Sequence, residues 1–377
     1  FRETVVGQGS QKGCSGLQDL LALRQSPSQA EVFQILRKDL EEWKHNPRRA
    51  TGVLCALAKH RLPYIAQEVL ISMSESQVEP NVYHYSAAIS ACEKGGKWQL
   101  ALCLLRAMPS TRVIPNQITY NAAISACEKG GQWQLAFSLL SAMLDVRLVQ
   151  DEISYSAVIS ACEKGGQWQL ALNLLSAMPG MRVVPNEVSY SAAISACEKG
   201  DQWQLALILL SNMPEIKLMP NQISYSAAIS ACSRGGQWQL ALQILSTMDA
   251  KRAVPDKVTY SAAISACEKG GQWQLALSLL SAMPDVGVHP NEISYNAAIS
   301  ACEKAGQWQL ALALLRDMPK VGLSPTSRSC NAAISACEKG GQWQLALIVL
   351  GSMSELRLMP DEISFSAAIS ACGRAST

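Results

Sequence analysis

Two positions of this 377-residue sequence carry small polar side chains suited to selective hydrogen bonding. They recur at an interval of 35 residues, as Ser226 and Ser261 do at the first position and Asp256 and Asn291 at the second. Both positions vary, but only among small hydrogen-bonding residues. A packing position would be fixed, and an idle surface position would also accept Lys, Glu or Gln. The variation therefore favours recognition, because amide, hydroxyl and carboxylate groups differ in donor and acceptor pattern.

The elements that must position these residues repeat with the same interval. Trp98 and Trp133 are 35 residues apart, and so are Cys92 and Cys127. A fixed interval of this size predicts stacked supersecondary units that bury their apolar faces on one another. The hydrophobic content of 49% is sufficient for a continuous core, and the net charge of +2 neither indicates nor excludes a nucleic-acid ligand.

Within one unit, residues 257–291, the pattern predicts a helix, a turn and a second helix. Apolar residues at helical spacing run from Val258 to Lys269, and a Gly-Gly pair follows as a left-handed cap. A second apolar stripe runs from Gln272 to Met283, and the proline after it is expected to end the helix. We expect the repeated Trp to be a core residue and the repeated Cys to be a buried thiol.

The first 46 residues lie outside the clean repeat. Residues 1–12 show no apolar periodicity and are expected to be loose, whereas 16–25 and 29–44 have helical patterns. This helical pair is either an N-terminal cap or a degenerate repeat. Capping units are expected at the ends of solenoids.

The repeats then define the rest of the chain. Residues 47–81 keep the register without the Trp and form a degenerate repeat. Residues 82–361 contain eight repeats that begin at 82, 117, 152, 187, 222, 257, 292 and 327, and residues 362–377 form a partial final repeat. The expected fold class is all-α, an α-solenoid of stacked 35-residue helix-turn-helix repeats.

This pattern resembles the pentatricopeptide repeat family, and specifically its P-type members, over about residues 47–377. The family's unit is a 35-residue helical hairpin, whose first helix opens here with Thr-Tyr-Asn at 119–121 or Ser-Tyr-Ser at 154–156. The resemblance implies a right-handed superhelix that binds single-stranded RNA, one base per repeat. It also implies a chloroplast or mitochondrial location and a role in RNA processing, stabilisation, editing or translation.

The resemblance assigns base recognition to the fifth and last residues of each repeat. These pairs are Thr51 and Asn81, Ser86 and Asn116, Asn121 and Asp151, Ser156 and Asn186, Ser191 and Asn221, Ser226 and Asp256, Ser261 and Asn291, Asn296 and Thr326, and Asn331 and Asp361. In the family, a fifth-position Ser or Thr goes with a purine and Asn with a pyrimidine. A last-position Asn goes with A or C, and Asp with G or U. The implied RNA, from 5′ to 3′, is A-A-U-A-A-G-A-Y-U, where Y is an undecided pyrimidine.

The same resemblance gives roles to the second and thirteenth residues. Apolar second residues would sandwich bases between repeats: Ile118, Ile153, Val188, Ile223, Val258 and Ile293. Basic thirteenth residues would follow successive phosphates: Lys94, Lys129, Lys164, Lys199, Arg234, Lys269, Lys304 and Lys339. The repeat that begins at 327 departs from the pattern, because Arg328 replaces the apolar second residue.

Each residue set also has a simpler interpretation. The last residues could be helix N-caps, the basic residues could complement helix dipoles, and the fifth residues could simply be solvated. The alternative function is a protein-binding scaffold, because concave helical solenoids also bind peptides.

The sequence does not indicate an enzyme. The four His residues are scattered, and no cofactor or metal site is expected. No apolar run of about 18 residues is present, so no membrane association is expected. Protein partners are left open.

Overall fold

The structure is a computed structural model that describes residues 15–23, 28–251 and 253–374. Those residues form α-helices and short 3₁₀ turns, with no β-strand among them. The chain forms two compact units, Phe1–Pro185 and Asn186–Thr377. The predicted loose segment at 1–12 lies outside the described residues. The predicted division into cap, degenerate repeat and eight full repeats stays a prediction.

The first unit is a series of helical hairpins. Its helices, within the described residues, are α1 (Ser15–Ala22), α2 (Gln29–His45), α3 (Pro47–Lys59), α4 (Pro63–Glu75), α5 (Val82–Lys94), α6 (Trp98–Ala107), α7 (Gln117–Lys129), α8 (Trp133–Asp145), α9 (Glu152–Lys164) and α10 (Trp168–Ala177). Within this unit, α3, α5, α7 and α9 pack on one another in succession, and α4, α6 and α8 each pack against the helices before and after them. We call the odd-numbered member of each hairpin its first helix.

The second unit repeats this packing among its own helices. They are α11 (Glu187–Lys199), α12 (Trp203–Glu215), α13 (Gln222–Arg234), α14 (Trp238–Ala250), α15 (Lys257–Lys269), α16 (Trp273–Ala282), α17 (Glu292–Lys304), α18 (Trp308–Asp317), α19 (Ser327–Lys339), α20 (Trp343–Glu355) and α21 (Glu362–Arg374). The stacked hairpins confirm the all-α fold class.

Small side chains form the contact between stacked first helices. Ala263, Ile264 and Cys267 of α15 are all fully buried. Burial raises the pKa of the Cys267 thiol to about 11, so the thiol stays protonated at neutral pH. The prediction of buried repeat thiols is confirmed for the eight cysteines that recur every 35 residues from Cys92 to Cys337, each of which has no exposed surface, whereas Cys372 of the partial final repeat is partly exposed.

The repeated Trp is not a core residue, so that sequence prediction was wrong. Trp343 is 37% exposed, and the other Trp side chains from Trp98 onward are partly exposed. The indole instead lies against the first glycine of the following repeat. A Cβ added to Gly270 would stand 2.3 Å from Cδ1 of Trp238, which is far inside van der Waals contact.

Where two glycines follow a first helix, as Gly270 and Gly271 follow α15, they have different tasks. Gly270 has φ −79° and needs to lack a side chain because the indole approaches it closely. Gly271 has φ +69° and is the residue in the left-handed region, where glycine carries no steric penalty. The Gly-Gly pattern by itself does not distinguish the glycine that contacts an indole from the glycine that adopts a left-handed backbone.

The prediction that Pro284 ends the second helix of residues 257–291 is confirmed, but proline does not end the second helix of every repeat. In one repeat α16 ends at Ala282, and Pro284 begins a 3₁₀ turn. In another, Pro214 lies inside α12, one residue before the end of that helix. Both connections then pass through a left-handed residue, Gly287 with φ +75° or Lys217 with φ +64°. The two endings thus share the same reversal of the chain.

Candidate nucleic-acid interface

The start of each first helix exposes an apolar side chain and buries a polar one. In α15 the second residue, Val258, is 50% exposed, whereas the fifth residue, Ser261, is only 5% exposed. The other predicted sandwich residues are exposed as well: Ile118, Ile153, Val188, Ile223 and Ile293. Fully burying such a side chain is worth about 1.5–3 kcal/mol, so this surface favours contact with a flat apolar group.

The last residue of each repeat caps the next first helix. The Ser294 N–H donates to Asn291 Oδ1 at 2.9 Å, and the Asn291 N–H donates to Ser294 Oγ at 2.9 Å. This reciprocal pair is a capping box. The same box forms at Asn116, Asp151, Asn186, Asp256 and Thr326. The N-cap interpretation of the last position is therefore confirmed.

Besides capping the next helix, the last residue of a repeat also contacts the fifth residue of the same repeat. Asn121 Nδ2 donates to both carboxylate oxygens of Asp151 at 3.1 Å. Ser261 Oγ lies 3.1 Å from Asn291 Oδ1 and 2.6 Å from the Lys257 carbonyl, so its single hydroxyl hydrogen is shared between the two acceptors. Equivalent contacts join Ser191 to Asn221, Asn296 to Thr326 and Asn331 to Asp361. The structure thus brings together residues that lie 30 positions apart in sequence.

In other repeats the fifth residue bonds elsewhere. Ser86 Oγ donates to the Val82 carbonyl at 2.7 Å. Ser226 Oγ lies 2.5 Å from Thr259 Oγ1, whose hydroxyl donates to Asp256 Oδ1 at 2.8 Å. Ser226 is therefore linked to its last residue through a hydroxyl relay. The solvated interpretation of the fifth position is wrong for these buried residues.

Capping also decides which atom of the last residue remains for a ligand. A backbone N–H needs an acceptor, so Asn291 must turn Oδ1 toward the helix, and its Nδ2 donors are left over. At Asp256 the carboxylate lone pairs that the cap does not use can only accept hydrogen bonds. Burial there opposes ionisation, but hydrogen bonds from Thr259 hold the pKa of Asp256 below its usual value. A last-position Asn therefore presents a donor, and a last-position Asp presents an acceptor.

These groups line concave surfaces within the second unit. One groove of about 400 Å³ is lined by Val258 and Ile293 together with Ser261 and Asn291. An adjacent groove of about 380 Å³ has the equivalent residues of the preceding repeat. A larger cavity of about 520 Å³ lies among second helices and contains none of the fifth or last residues. The grooves, rather than the larger cavity, are the candidate site.

Comparison with known families decides the identity of the fold. The chain matches a PPR repeat family model at residues 115–164, 220–269, 255–304 and 290–339, a pentatricopeptide repeat domain at 64–130, and a PPR repeat model at 153–183, 188–218 and 328–358. Together these matches cover more than half of the chain. It belongs to the pentatricopeptide repeat family.

Solved structures agree with this pentatricopeptide repeat fold. The crystal structure of the maize pentatricopeptide repeat protein PPR10 matches with 19% identity and a TM-score of 0.52, over 93% of this chain and 57% of that one. PPR10 in complex with an 18-nt psaJ RNA element matches with 17% identity and a TM-score of 0.52, over 92% and 62%. The chain thus spans about six-tenths of these relatives. No curated protein sequence matches it.

At least five of the thirteenth residues of this pentatricopeptide repeat chain form ion pairs with glutamates of the preceding repeat, whereas Lys94 and Lys269 form none within the described residues. Lys304 Nζ lies 2.9 Å from Glu268 Oε1, the twelfth residue of the preceding repeat. The same pairing joins Lys129 to Glu93, Lys164 to Glu128, Arg234 to Glu198 and Lys339 to Glu303. The recurring Glu-Lys dipeptide is the signal in the sequence that could have predicted these glutamate partners. The ladder therefore alternates in sign instead of being a row of unopposed cations.

The repeat that begins at Val82 has its own variant of the cap. The Asn81 N–H donates to His84 Nδ1 at 3.1 Å, and His84 Nε2 lies 2.9 Å from the Pro47 carbonyl. Because Nδ1 accepts a hydrogen bond, the imidazole is neutral and its proton is on Nε2. Burial lowers the pKa of His84, which favours this neutral form. The carbonyl of Pro47 also accepts from the hydroxyl of Thr51 at 3.4 Å.

The described part of the chain shows neither a metal-binding group of side chains nor a membrane-spanning helix. Within residues 15–23, 28–251 and 253–374, no three His, Cys, Asp or Glu side chains form a group that could hold a metal ion. In the same ranges, no helix has the length and apolar character needed to cross a bilayer.

Proposed function

We propose that this chain binds single-stranded RNA with one base per repeat. The observation that carries the proposal is the pairing of a buried fifth residue with a capping last residue, beside exposed apolar second residues. A base has two apolar faces and a polar edge. Its faces would contact second residues such as Val258 and Ile293, while its edge would meet Ser261 and Asn291.

The polarity of the last residue supports the base assignments. N1 of adenine and N3 of cytosine are acceptors and match the amide donor that a capping Asn leaves over. N1–H of guanine and N3–H of uracil are donors and match the carboxylate of a capping Asp. This complementarity gives a physical reason for pairing Asn with A or C and Asp with G or U. The proposed target is A-A-U-A-A-G-A-Y-U.

The cellular role belongs to the same proposal. The related PPR10 structure was solved with an 18-nt psaJ RNA element, which is a single RNA bound to a protein of the same fold. We infer a P-type protein that acts in a chloroplast or mitochondrion, without catalytic activity of its own, in RNA processing, stabilisation, editing or translation. Binding at a defined sequence would suffice for each of these outcomes.

A binding experiment tests the proposal. The full chain is titrated with labelled A-A-U-A-A-G-A-U-U RNA, a scrambled RNA of equal composition and the matching DNA, at two salt concentrations. We expect preferential binding of the target RNA and weaker binding at high salt. Failure to bind any of the three would contradict the proposal and favour the protein-binding scaffold.

A variant at one repeat tests the register. Ser226→Asn is expected to move the preference at the sixth nucleotide from G toward U and to leave the other positions unchanged. Ser191→Asn is the matched control, because it should alter the preference at the fifth nucleotide instead. Equal binding of all single-base variants by either protein would show that the assigned register is wrong.

A further inference from the structure

The ladder of ion pairs at the ends of the first helices has a gap in the second unit. Glu198, Glu268 and Glu303 each pair with the basic thirteenth residue of the following repeat. The residue at the twelfth position of the repeat between them is Ser233, which stands where Lys269 would find its acid. No ion pair of Lys269 forms among the described residues, and the side chain is exposed.

We propose that Lys269 is the dominant phosphate contact of the second unit, because no carboxylate of the preceding repeat competes for it. The inference rests on the proposed RNA binding and goes beyond it by ranking the cations. At Lys304 or Lys339, a phosphate would have to displace a glutamate and would also be repelled by it. At Lys269 the phosphate meets a cation that is already free.

The gap opens onto the base-binding groove. The groove of about 400 Å³ that holds Ser261 and Asn291 is also lined by Ser233. A hydroxyl that is 5% exposed carries no charge to oppose a phosphate there. The same groove is also lined by Glu198, whose carboxylate lies 3.6 Å from Arg234 in an ion pair. A nucleotide whose base occupies this groove would therefore meet the uncharged Ser233 at the position where the repeats that begin at 187 and 257 carry a glutamate.

The first unit contains an independent instance of the same arrangement. Lys94 is exposed, and the residue 36 positions before it is Ala58. Lys94 also forms no ion pair within the described residues. By contrast, Lys129 and Lys164 of that unit lie 2.7 and 2.6 Å from their glutamates. The same ranking is expected there, with Lys94 above its neighbours.

RNA titrations at several salt concentrations, with variants in which an uncharged Gln replaces one Lys, test the ranking of the cations. Each phosphate contact to single-stranded nucleic acid contributes about 0.7 to the slope of log Kd against log salt. Lys269→Gln should therefore lower the slope by about 0.7 and raise Kd about fivefold at 0.1 M salt. The matched variant Lys304→Gln should raise Kd less than twofold, because its cation is already neutralised by Glu268.

Variants that add an acid beside Lys269, or that remove the acid beside Lys304, give the converse test. Ser233→Glu should place an acid beside Lys269 and bind the target RNA about fivefold more weakly than Ser233→Gln, its uncharged match. Glu268→Gln should free Lys304, tighten binding and raise the salt slope. Thermal unfolding of each variant checks that the chain is folded.

The possible outcomes separate the two proposals. Equal losses for Lys269→Gln and Lys304→Gln, with RNA binding intact in the unaltered chain, would overturn the ranking alone. A larger loss for Lys304→Gln would overturn it as well. Absence of RNA binding by the unaltered chain would instead refute the proposed function.

Discussion

The two ends of each first helix handle polarity in opposite ways. At the start, an exposed apolar residue such as Val258 stands beside a buried polar pair, Ser261 and Asn291. At the end, charges pair across repeats, as the exposed Lys304 does with the buried Glu268. The start has unused hydrogen-bonding groups and unburied apolar surface, whereas the end is largely satisfied within the protein.

The two ends of each first helix are therefore suited to different roles, base discrimination at the start and overall RNA affinity at the end. Residues at the start vary between repeats and differ in donor and acceptor pattern, so they can distinguish ligands. Residues at the end are nearly constant, and we expect their charge to affect RNA binding most where an acid is missing. Substitutions at the start should therefore change which RNA is bound, and substitutions at the end should change how strongly any RNA is bound.

The largest effect is expected from Asp256→Asn at the start of α15. Asn is as good an N-cap as Asp, so the midpoint of thermal unfolding should change little. The exposed atoms change from acceptors to a donor, and the preference at that nucleotide should move from G to A by about 1–3 kcal/mol, the usual worth of a good base contact. Competition binding with RNAs that differ only at this nucleotide measures the shift. An unchanged preference would mean that the last residue does not contact the base.

The next effect concerns packing between repeats. Gly165→Ala would place a Cβ 2.3 Å from Cδ1 of Trp133, so the free energy of unfolding should fall by about 1–3 kcal/mol. Chemical denaturation measures the loss. In a Trp133→Leu background the same substitution should cost much less, because the two residues are in contact. Equal costs in both backgrounds would show that the indole does not require the glycine.

Natural variation offers a second view of this contact. Ala305 occupies the position of the first glycine in one repeat and adopts φ −88°. Ala305→Gly is expected to change the unfolding free energy less than Gly165→Ala does, because the surroundings of Ala305 already accommodate a Cβ.

A smaller effect should depend on pH and arises at the start of α5. The pKa of His84 is lowered in the folded chain, so protons bind the unfolded state more readily. The contribution of His84 to stability is then complete above its unfolded pKa and is lost as pH falls toward the folded value. His84→Ser restores the usual hydroxyl and should weaken the loss of thermal stability between pH 7.5 and pH 5. Identical pH profiles for the two proteins would contradict this assignment.

The smallest effect is expected at the end of α17. Glu303→Gln removes the partner of Lys339, an ion pair between an exposed Lys and a partly buried Glu that is worth about 0.2–1 kcal/mol. The loss should shrink as salt concentration rises, because surface charges are screened. Denaturation at low and high salt measures it. A loss above that range would show that the pair stabilises repeat stacking more than surface ion pairs usually do.

Several structural features followed from the sequence because their causes are local. The 35-residue interval predicted the hairpins, and the predicted first helix from Val258 to Lys269 agrees with α15 to within one residue. Asn291 was recognised as a possible N-cap from its type and place alone. The family resemblance assigned Asn121 and Asp151 to the same base, which stays a prediction, and the structure shows that their side chains are in contact.

The errors arose where contacts join different repeats. Trp238 looks like a core residue because it is large and apolar, but its place depends on Gly270 of the next repeat. The glutamate partners of the basic ladder lie 36 residues away in sequence. No local pattern reports such a contact, so these features required the stacked helices.

The sequence by itself determined the repeating hairpin, its caps and the residues that vary between copies, because backbone propensity and apolar spacing act within a few turns of chain. Only the tertiary structure decided that Ser261 is buried while Val258 is exposed, and that Lys269 lacks the acid that its neighbours have. Burial and ion pairing of these residues depend on side chains that stacking brings together from positions about one repeat apart.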